Sequence, residues 1–423
     1  MPHYVTEKPG VGMNLFFLRR LVRSIWFRPA AYAVISVLAI GLTPLFSRVI
    51  PEEWSGWVKV EAVEQTLQIL ASSLLAVAIF ALATMFSAFQ AAAQAATPRA
   101  RPLMTQDRTA QTAVSTFIGT FLFSLLALIG LASGFYADTD MPVVFTVTLT
   151  LVGVVVYTLI RWIQRLSGFG GVEEAISAIE EATREAVCAN VRYPVLGGKA
   201  AKSPPGKSSP VEARRVGYVQ SVDHRRLADL IEKHGITVHI NARPGRFVGP
   251  GRPVAFVSKT DDDVITAIGE AFVVAQGRTF QEDPRFGLIA LTEIAERALS
   301  PAVNDPGTAI SVLAAQARIF TFWSERRDTC EAEPPVEGLT CVPLDLDAAF
   351  RDAFLPIARD GATQVEVAIR LQKSLTMIEI CDPDQYGKPV AAVRKHALGY
   401  AEAALKFDWE KKALKEAEDL SNT

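Results

Sequence analysis

The stretch LQILASSLLAVAIFALATMFSAFQAAAQAA, residues 67–96, indicates a membrane-spanning helix, because none of its side chains carries a charge. About 20 apolar residues in a helix are enough to cross the hydrocarbon core of a bilayer. Three further runs have nearly the same character, at residues 30–50, 112–135 and 143–160. The sequence therefore predicts four transmembrane helices.

Basic and acidic residues alternate between the segments that flank these runs. Lysine and arginine are concentrated before the first run, between the second and third, and after the fourth, whereas the other two loops are mainly acidic. Because positive charge is retained in short cytoplasmic segments, both termini are expected in the cytoplasm. We therefore expect a multi-pass protein of the bacterial inner membrane, with the lipid bilayer as a partner.

Uncharged polar side chains recur at helical spacing in the second and third runs. They are Thr84, Ser87, Gln90 and Gln94 in the second run and Thr116 and Thr120 in the third. Two interpretations stay open: such residues pack helices closely, or they line a water-filled path. No charged residue lies deep in these runs to mark a proton relay.

The loop ATPRARPLMTQDRTAQ, residues 96–111, places Arg99, Arg101 and Arg108 at the predicted inner surface. These arginines are candidates for contact with lipid phosphates or with a cytoplasmic domain. Ordinary topology-determining charge accounts for the same arginines and is the favoured interpretation.

The sequence divides into six parts. They are a cytoplasmic N-terminal segment (1–29), a four-helix transmembrane domain (30–165), a juxtamembrane helix (166–195), a Gly/Pro/Ser/Lys-rich linker (196–214), a small β module (215–260) and a helical cytoplasmic domain (261–423). The predicted fold class is thus a membrane α-helical domain followed by a cytoplasmic α+β region. Within the β module, GRFVGPGRPVAFV (residues 245–257) resembles the return strands of barrel-sandwich hybrid domains, without the modifiable lysine of the carrier proteins.

The stretch RALSPAVNDPGTAI, residues 297–310, is predicted to form a corner between two helices. An aspartate before proline is a start signal, because its oxygen accepts from first-turn amides while proline occupies a position that needs no donor. Asp283-Pro284 and Asp305-Pro306 fit this pattern, and Ser300 before Pro301 is expected to end the first helix.

Four polar residues near this corner are candidates for ligand binding: Glu293, Arg297, Asn304 and Asp305. Carboxylates beside an asparagine could hold a cation or act on a bound ligand. Helix capping, together with an i,i+4 pair between Glu293 and Arg297, accounts for the same residues and is the favoured interpretation.

The run DPRFGLIALTEIAERALSPAVNDPGTA, residues 283–309, together with the loop at residues 96–111, resembles the signature of the bacterial membrane proteins grouped as DUF2254, a domain of unknown function. The likeness covers residues 15–405. It implies several N-terminal spans and a cytoplasmic tail, and no established activity.

No P-loop, dinucleotide fingerprint, nucleophile elbow or HExxH motif is present, so we predict neither an enzyme nor a catalytic residue nor a cofactor. The four cysteines follow residue 165, in the predicted reducing compartment, without the spacing of metal ligands. We therefore expect no disulfide and no metal site. A formal net charge of −2 gives no reason to expect a nucleic-acid partner.

Two functions stay open. The first is an oligomeric ion channel or conduit, lined by transmembrane helices 2 and 3 and gated by the cytoplasmic domain. The second is a non-transporting membrane scaffold or sensor, whose cytoplasmic domain binds a ligand or partner. A homo-oligomer is expected.

Overall fold

A computed structural model describes residues 27–46, 59–95, 97–104, 108–166, 171–204, 206–259 and 261–419. The chain forms two compact units. The N-terminal helical unit comprises Asn14–Ala95 and Arg101–Gly171, and the C-terminal unit contains Val172–Thr423 together with the short segment Ala96–Ala100.

Four helices form the described part of the N-terminal helical unit. They are α1 (Phe27–Phe46), α2 (Val60–Ala95), α3 (Arg108–Ala132) and α4 (Met141–Leu166), with a single helical turn at Arg101–Met104 and a 3-10 turn at Asp138–Asp140. Helix α3 packs against each of the other three. This central helix therefore has the most buried span.

Three of these helices are long and apolar enough to cross a membrane, over Val60–Ala88, Thr109–Ala132 and Met141–Gln164. They correspond to the second, third and fourth predicted spans. The first predicted span contains a shorter apolar helix, Ala30–Thr43, and its residues 47–50 lie outside the described residues. Helix α2 has 36 residues, which at 1.5 Å per residue gives about 54 Å, longer than a hydrocarbon core.

The stretch predicted to be a juxtamembrane helix contains α5 (Val172–Arg192). Its buried face includes Ile176, Ile179, Thr183 and Val187, as the spacing of these residues predicts. This face packs against two helices of the C-terminal unit, α8 (Pro284–Leu299) and α9 (Pro306–Thr329).

Within the described ranges, eight short strands form two sheets. The strands are β1 (Lys199–Ala200), β2 (Ser209–Val211), β3 (Gly217–Val222), β4 (Val238–Ile240), β5 (Phe247–Val248), β6 (Ala255–Val257), β7 (Phe272–Ala275) and β8 (Leu339–Cys341). One sheet has the order β1-β8-β4-β6-β2, with β8 parallel to both neighbours, and the other has the order β5-β3-β7. Helices α6 (His224–His234) and α7 (Asp262–Gly269) accompany these strands.

The strands come from a wider part of the chain than the predicted β module. The stretch predicted to be a linker supplies β1 and β2, and the stretch predicted to be helical supplies β7 and β8. Each of these strands has four residues or fewer, too few to show a period in the sequence. These strands form two separate sheets. The resemblance to barrel-sandwich hybrid domains therefore stays a prediction.

Helices α8 and α9 are followed by α10 (Leu346–Asp360), α11 (Val365–Cys381), α12 (Pro383–Ala404) and α13 (Asp408–Asp419). Within the stretch predicted to be helical (261–423), α10 and α11 are separated by a turn that begins at Gly361. Aromatic rings fill the centre of this bundle: Phe320, Phe350, Phe354 and Tyr386. The hydroxyl of Tyr386 donates to the carbonyl of Phe320 at 3.2 Å, which satisfies its polar atom inside the apolar core.

Candidate functional site

The two sequence segments that carry the family resemblance meet at Glu293. The hydroxyl of Thr97 donates to Glu293 Oε2 at 3.1 Å, and the guanidinium of Arg99 forms an ion pair with Glu293 Oε1. Both residues belong to the segment Ala96–Ala100, which clusters with the C-terminal unit. We call these three residues the Glu293 latch.

Burial differs across the Glu293 latch. Thr97 is 3% exposed, whereas the side chains of Glu293 and Arg99 are 24% and 48% exposed. The ion pair is therefore screened by water, and an exposed pair contributes about 0–1 kcal/mol. The hydroxyl of Thr97 accepts from the amide of Arg99 at 3.4 Å and donates to Glu293, so without Glu293 this donor would lose its acceptor.

Helix α8 holds Glu293 in place because both of its ends are fixed. Asp283 caps its first turn, with Oδ1 accepting from the amide of Phe286 at 3.1 Å, and the helix ends before Ser300, as predicted. Its buried residues include Leu288, Leu291 and Ile294. Glu293 therefore projects from a well-packed helix.

The corner between α8 and α9 is a capped turn. Asp305 caps α9, as predicted: its Oδ1 accepts from the amide of Thr308 at 3.1 Å and its Oδ2 from the hydroxyl at 2.7 Å. These hydrogen bonds lower the pKa of the Asp305 carboxyl. Asn304 has a left-handed backbone with φ of 50° and accepts from Gln364 Nε2 at 2.8 Å. Both side chains thus have structural roles.

Arg285 and Glu296 of α8 also have tertiary partners, whereas Arg297 is exposed. Glu296 pairs with Arg359 at 3.0 Å. Glu293 contacts Arg99 in place of the predicted i,i+4 partner Arg297, because Arg99 and Thr97 together offer its carboxylate two donors. The structure therefore brings Arg99 to Glu293, away from Asn304 and Asp305. The side chains of Arg101 and Arg108 lie outside the described residues.

The polar residues of α3 are buried within the single chain. Thr116 and Thr120 are 3% and 2% exposed. The hydroxyl of Ser36 in α1 donates to the carbonyl of Gly119 at 2.9 Å, and a Cβ at Gly119 would lie 3.1 Å from Tyr32 Cβ. Helices α1 and α3 therefore approach closely at this small residue.

Most of the described polar residues of α2 face outward. Thr84 is half-buried and donates to the carbonyls of its own helix, whereas Ser87 and Gln90 are exposed. The side chain of Gln94 lies outside the described residues. The outward face also includes residues that our sequence analysis missed, although they continue the same spacing: Gln65, Gln68, Ser72, Ala76 and Ala83.

Two adjacent acidic residues in the C-terminal unit lie away from water, Asp283 buried and Glu282 half-buried, which the sequence did not indicate. Glu282 accepts from the hydroxyl of Ser221 at 2.6 Å and from the amide of Val222 at 3.3 Å. Burial raises the pKa of Glu282, and burial also raises that of Asp283 although Arg278 pairs with it at 2.7 Å.

Histidine, cysteine, aspartate and glutamate do not gather into a metal-binding group of three within the described part of the chain. The buried His239 has Nδ1 2.9 Å from Thr340 Oγ1, and His224 packs on the ring of Tyr193. Burial raises the pKa of the Cys341 thiol to about 11, so this cysteine is protonated at neutral pH.

Comparison with known proteins identifies the family. The family described as "Predicted membrane protein (DUF2254)" matches residues 22–377 of this chain. The chain therefore belongs to this family, as the resemblance of its sequence predicted. Uncharacterized proteins of Mycobacterium bovis and Mycobacterium tuberculosis are each 35% identical over 119 residues, which cover 26% of this chain and 23% of each relative. The match thus spans about a quarter of these relatives. No solved structure matches.

Proposed function

We propose that this member of the DUF2254 family is an oligomeric ion conduit of the bacterial inner membrane, lined by α2 and regulated by its C-terminal unit. The observation that carries the proposal is the outward face of α2, where polar and small side chains recur from Gln65 to Gln90. In hydrocarbon, an unpaired amide is costly and needs a polar group or water. A second copy of the chain around a water-filled path would supply both.

The side chains of Gln65 and Gln90 form no hydrogen bond with the described residues, so their amides are free for such partners. By contrast, Ser72 donates to the carbonyl of Gln68 at 2.8 Å. A hydroxyl satisfied in this way can still accept from water, because it keeps lone pairs. Ile79 is 61% exposed in the middle of this face. We assign Ile79 to a narrow apolar constriction of the path, where loss of water would stop ion flow.

We assign helix packing to the polar face of α3, since Thr116 and Thr120 are buried in the single chain. The conduit then differs from the sequence-based hypothesis in having α2 alone as its lining. The rest of the bundle would hold α2 at a fixed angle.

We assign regulation to the Glu293 latch. The segment Ala96–Ala100 lies between α2 and α3 in the chain, and it is held by α8 through Thr97 and Arg99. Movement of α8 would therefore pull on the end of the lining helix. We assign no enzymatic activity, because the polar side chains of the α8–α9 corner stabilise the turn itself.

The alternative function is a non-transporting scaffold or sensor, in which the outward face of α2 forms a dry contact between copies. The same glutamine amides support it, because they can pair across a helix interface. The two functions differ in their response to enlarged side chains.

The test is ion flux through the purified protein in liposomes. We expect Ser87→Leu and Gln90→Leu to leave the oligomer assembled and to reduce flux, because each narrows and dries the path. Thr150→Leu is the matched control: this residue is exposed on α4, and its hydroxyl donates to the carbonyl of Thr146. This variant should keep wild-type flux. If the wild-type protein passes no ions, or if both α2 variants dissociate into monomers, the conduit is abandoned and the scaffold retained.

A further inference from the structure

A second surface, in the C-terminal unit, combines exposed apolar side chains with arginines. Val216 precedes β3 and is 58% exposed, and Phe247 in β5 is 46% exposed. Strand pairing sets Tyr218 opposite Phe247, with ring centroids 5.1 Å apart. The side chain of Val216 lies against Gly249, where a Cβ would be 3.1 Å from Val216 Cγ2. These residues therefore form one continuous tip at the edge of the three-stranded sheet.

Three exposed arginines surround the apolar residues. Arg215 precedes Val216, Arg246 precedes Phe247, and Arg252 pairs with Gly249 in the following turn. Neither of the two segments that build the tip, 213–220 and 241–254, contains an aspartate or glutamate. Within the described part of the chain none of the three forms an ion pair, whereas the nearby Arg214 and Arg226 both pair with Glu270. The tip thus carries uncompensated positive charge.

The backbone holds this tip in a fixed shape. The amide of Gly245 donates to the carbonyl of Val219 at 2.8 Å, and the amide of Val219 donates to that of Arg246 at 3.0 Å. Gly245 has a φ of 89°, and a Cβ there would lie 2.1 Å from Asp283 Oδ2, so glycine is required. A preformed tip loses little conformational freedom when it binds.

We propose that this tip, defined by Arg215, Val216, Arg246, Phe247 and Arg252, binds the anionic phospholipid surface of the membrane in which the protein is embedded. Guanidinium groups bind phosphate oxygens in a forked geometry. Aliphatic and aromatic side chains beside them suit the boundary between headgroups and acyl chains. Because the same chain has membrane spans, the lipid surface is present at high effective concentration.

A fluorophore at the tip of the full-length protein tests the proposal. The label is attached to Val216→Cys after Cys188, Cys330 and Cys381 are replaced by serine; Cys341 is 0% exposed and stays. The protein is placed in nanodiscs of phosphatidylcholine, alone or mixed with phosphatidylglycerol. We expect nitroxide-labelled lipid to quench the fluorophore in the mixed discs, and high salt to reverse the quenching.

The triple variant Arg215→Gln/Arg246→Gln/Arg252→Gln should lose this quenching, since each arginine near an anionic surface contributes about fivefold in binding. The matched control removes the same charge from α13, at three lysines: Lys411→Gln/Lys412→Gln/Lys415→Gln. It should quench like the parent. Equal quenching in both kinds of disc, or quenching that survives the triple variant, would overturn the proposal. A blue-shifted fluorophore without lipid quenching would do so as well, because it would mean that protein covers the tip.

Discussion

At the residue scale, the cap of α9 rests on one side chain. Asp305 supplies both carboxylate oxygens to Thr308, so Asp305→Ala should lower the free energy of unfolding by about 0.5–2 kcal/mol. Asp305→Asn is the control, because asparagine caps as well as aspartate. Chemical denaturation in detergent measures both. A variant that kept full stability yet lost function would point to a ligand site at this corner.

A comparison of Asp305 with Glu293 shows how much of the candidate site the sequence alone could predict. The capping contact spans three positions in the chain, so local chemistry predicts it. The partner of Glu293 is Thr97, 196 positions away, and no local rule connects the two. The sequence predicted Glu293 and Arg99 as two separate candidates, and folding brings them into one contact.

At the scale of elements, we expect the Glu293 latch to stabilise the segment Ala96–Ala100 against α8. Glu293→Ala removes the acceptor of Thr97 and the ion pair of Arg99 together, a loss of about 1–2 kcal/mol. Hydrogen exchange should therefore speed up about tenfold at the amide of Ala100, which donates to the carbonyl of Thr97 at 3.0 Å.

Two variants control this measurement. Glu293→Gln keeps an acceptor for Thr97 and should have an intermediate effect. Glu296→Ala breaks an ion pair of the same helix, with Arg359, and should leave exchange at Ala100 unchanged. Wild-type exchange in Glu293→Ala would contradict a holding role for the latch.

Elements differed in how well the sequence predicted them. Helices α8 and α9 begin at Pro284 and Pro306, where the Asp-Pro pairs placed them. Strand β8 pairs with β4, with Leu339 opposite Val238, and its three residues gain their conformation from that distant pairing. Pattern reasoning detects elements stabilised by their own sequence, and it misses strands that exist through tertiary contacts.

At the scale of the whole molecule, two similar polar patterns have different surroundings. The spacing of Thr116 and Thr120 and that of Ser87 and Gln90 each predicted one polar helix face. The structure buries the first face within the chain and leaves the second outward. Periodicity identifies which residues share a face, whereas the neighbours of that face depend on how the helices pack. The orientation across the membrane, however, is a prediction from charge.

Because basic flanks alternate with acidic loops, we expect Asp138 outside the cell and the C-terminal unit inside. A membrane-impermeant maleimide should label Asp138→Cys on intact cells when Cys188, Cys330 and Cys381 are serine. A second variant, in which Cys188 and Cys330 are serine, keeps the exposed Cys381 as its accessible thiol. This variant should be labelled after cell lysis and not before. The reverse pattern would place the C-terminal unit outside, in an oxidising compartment. It would also turn the Glu293 latch into an extracellular contact, and the proposed regulation from the cytoplasm would fail with it.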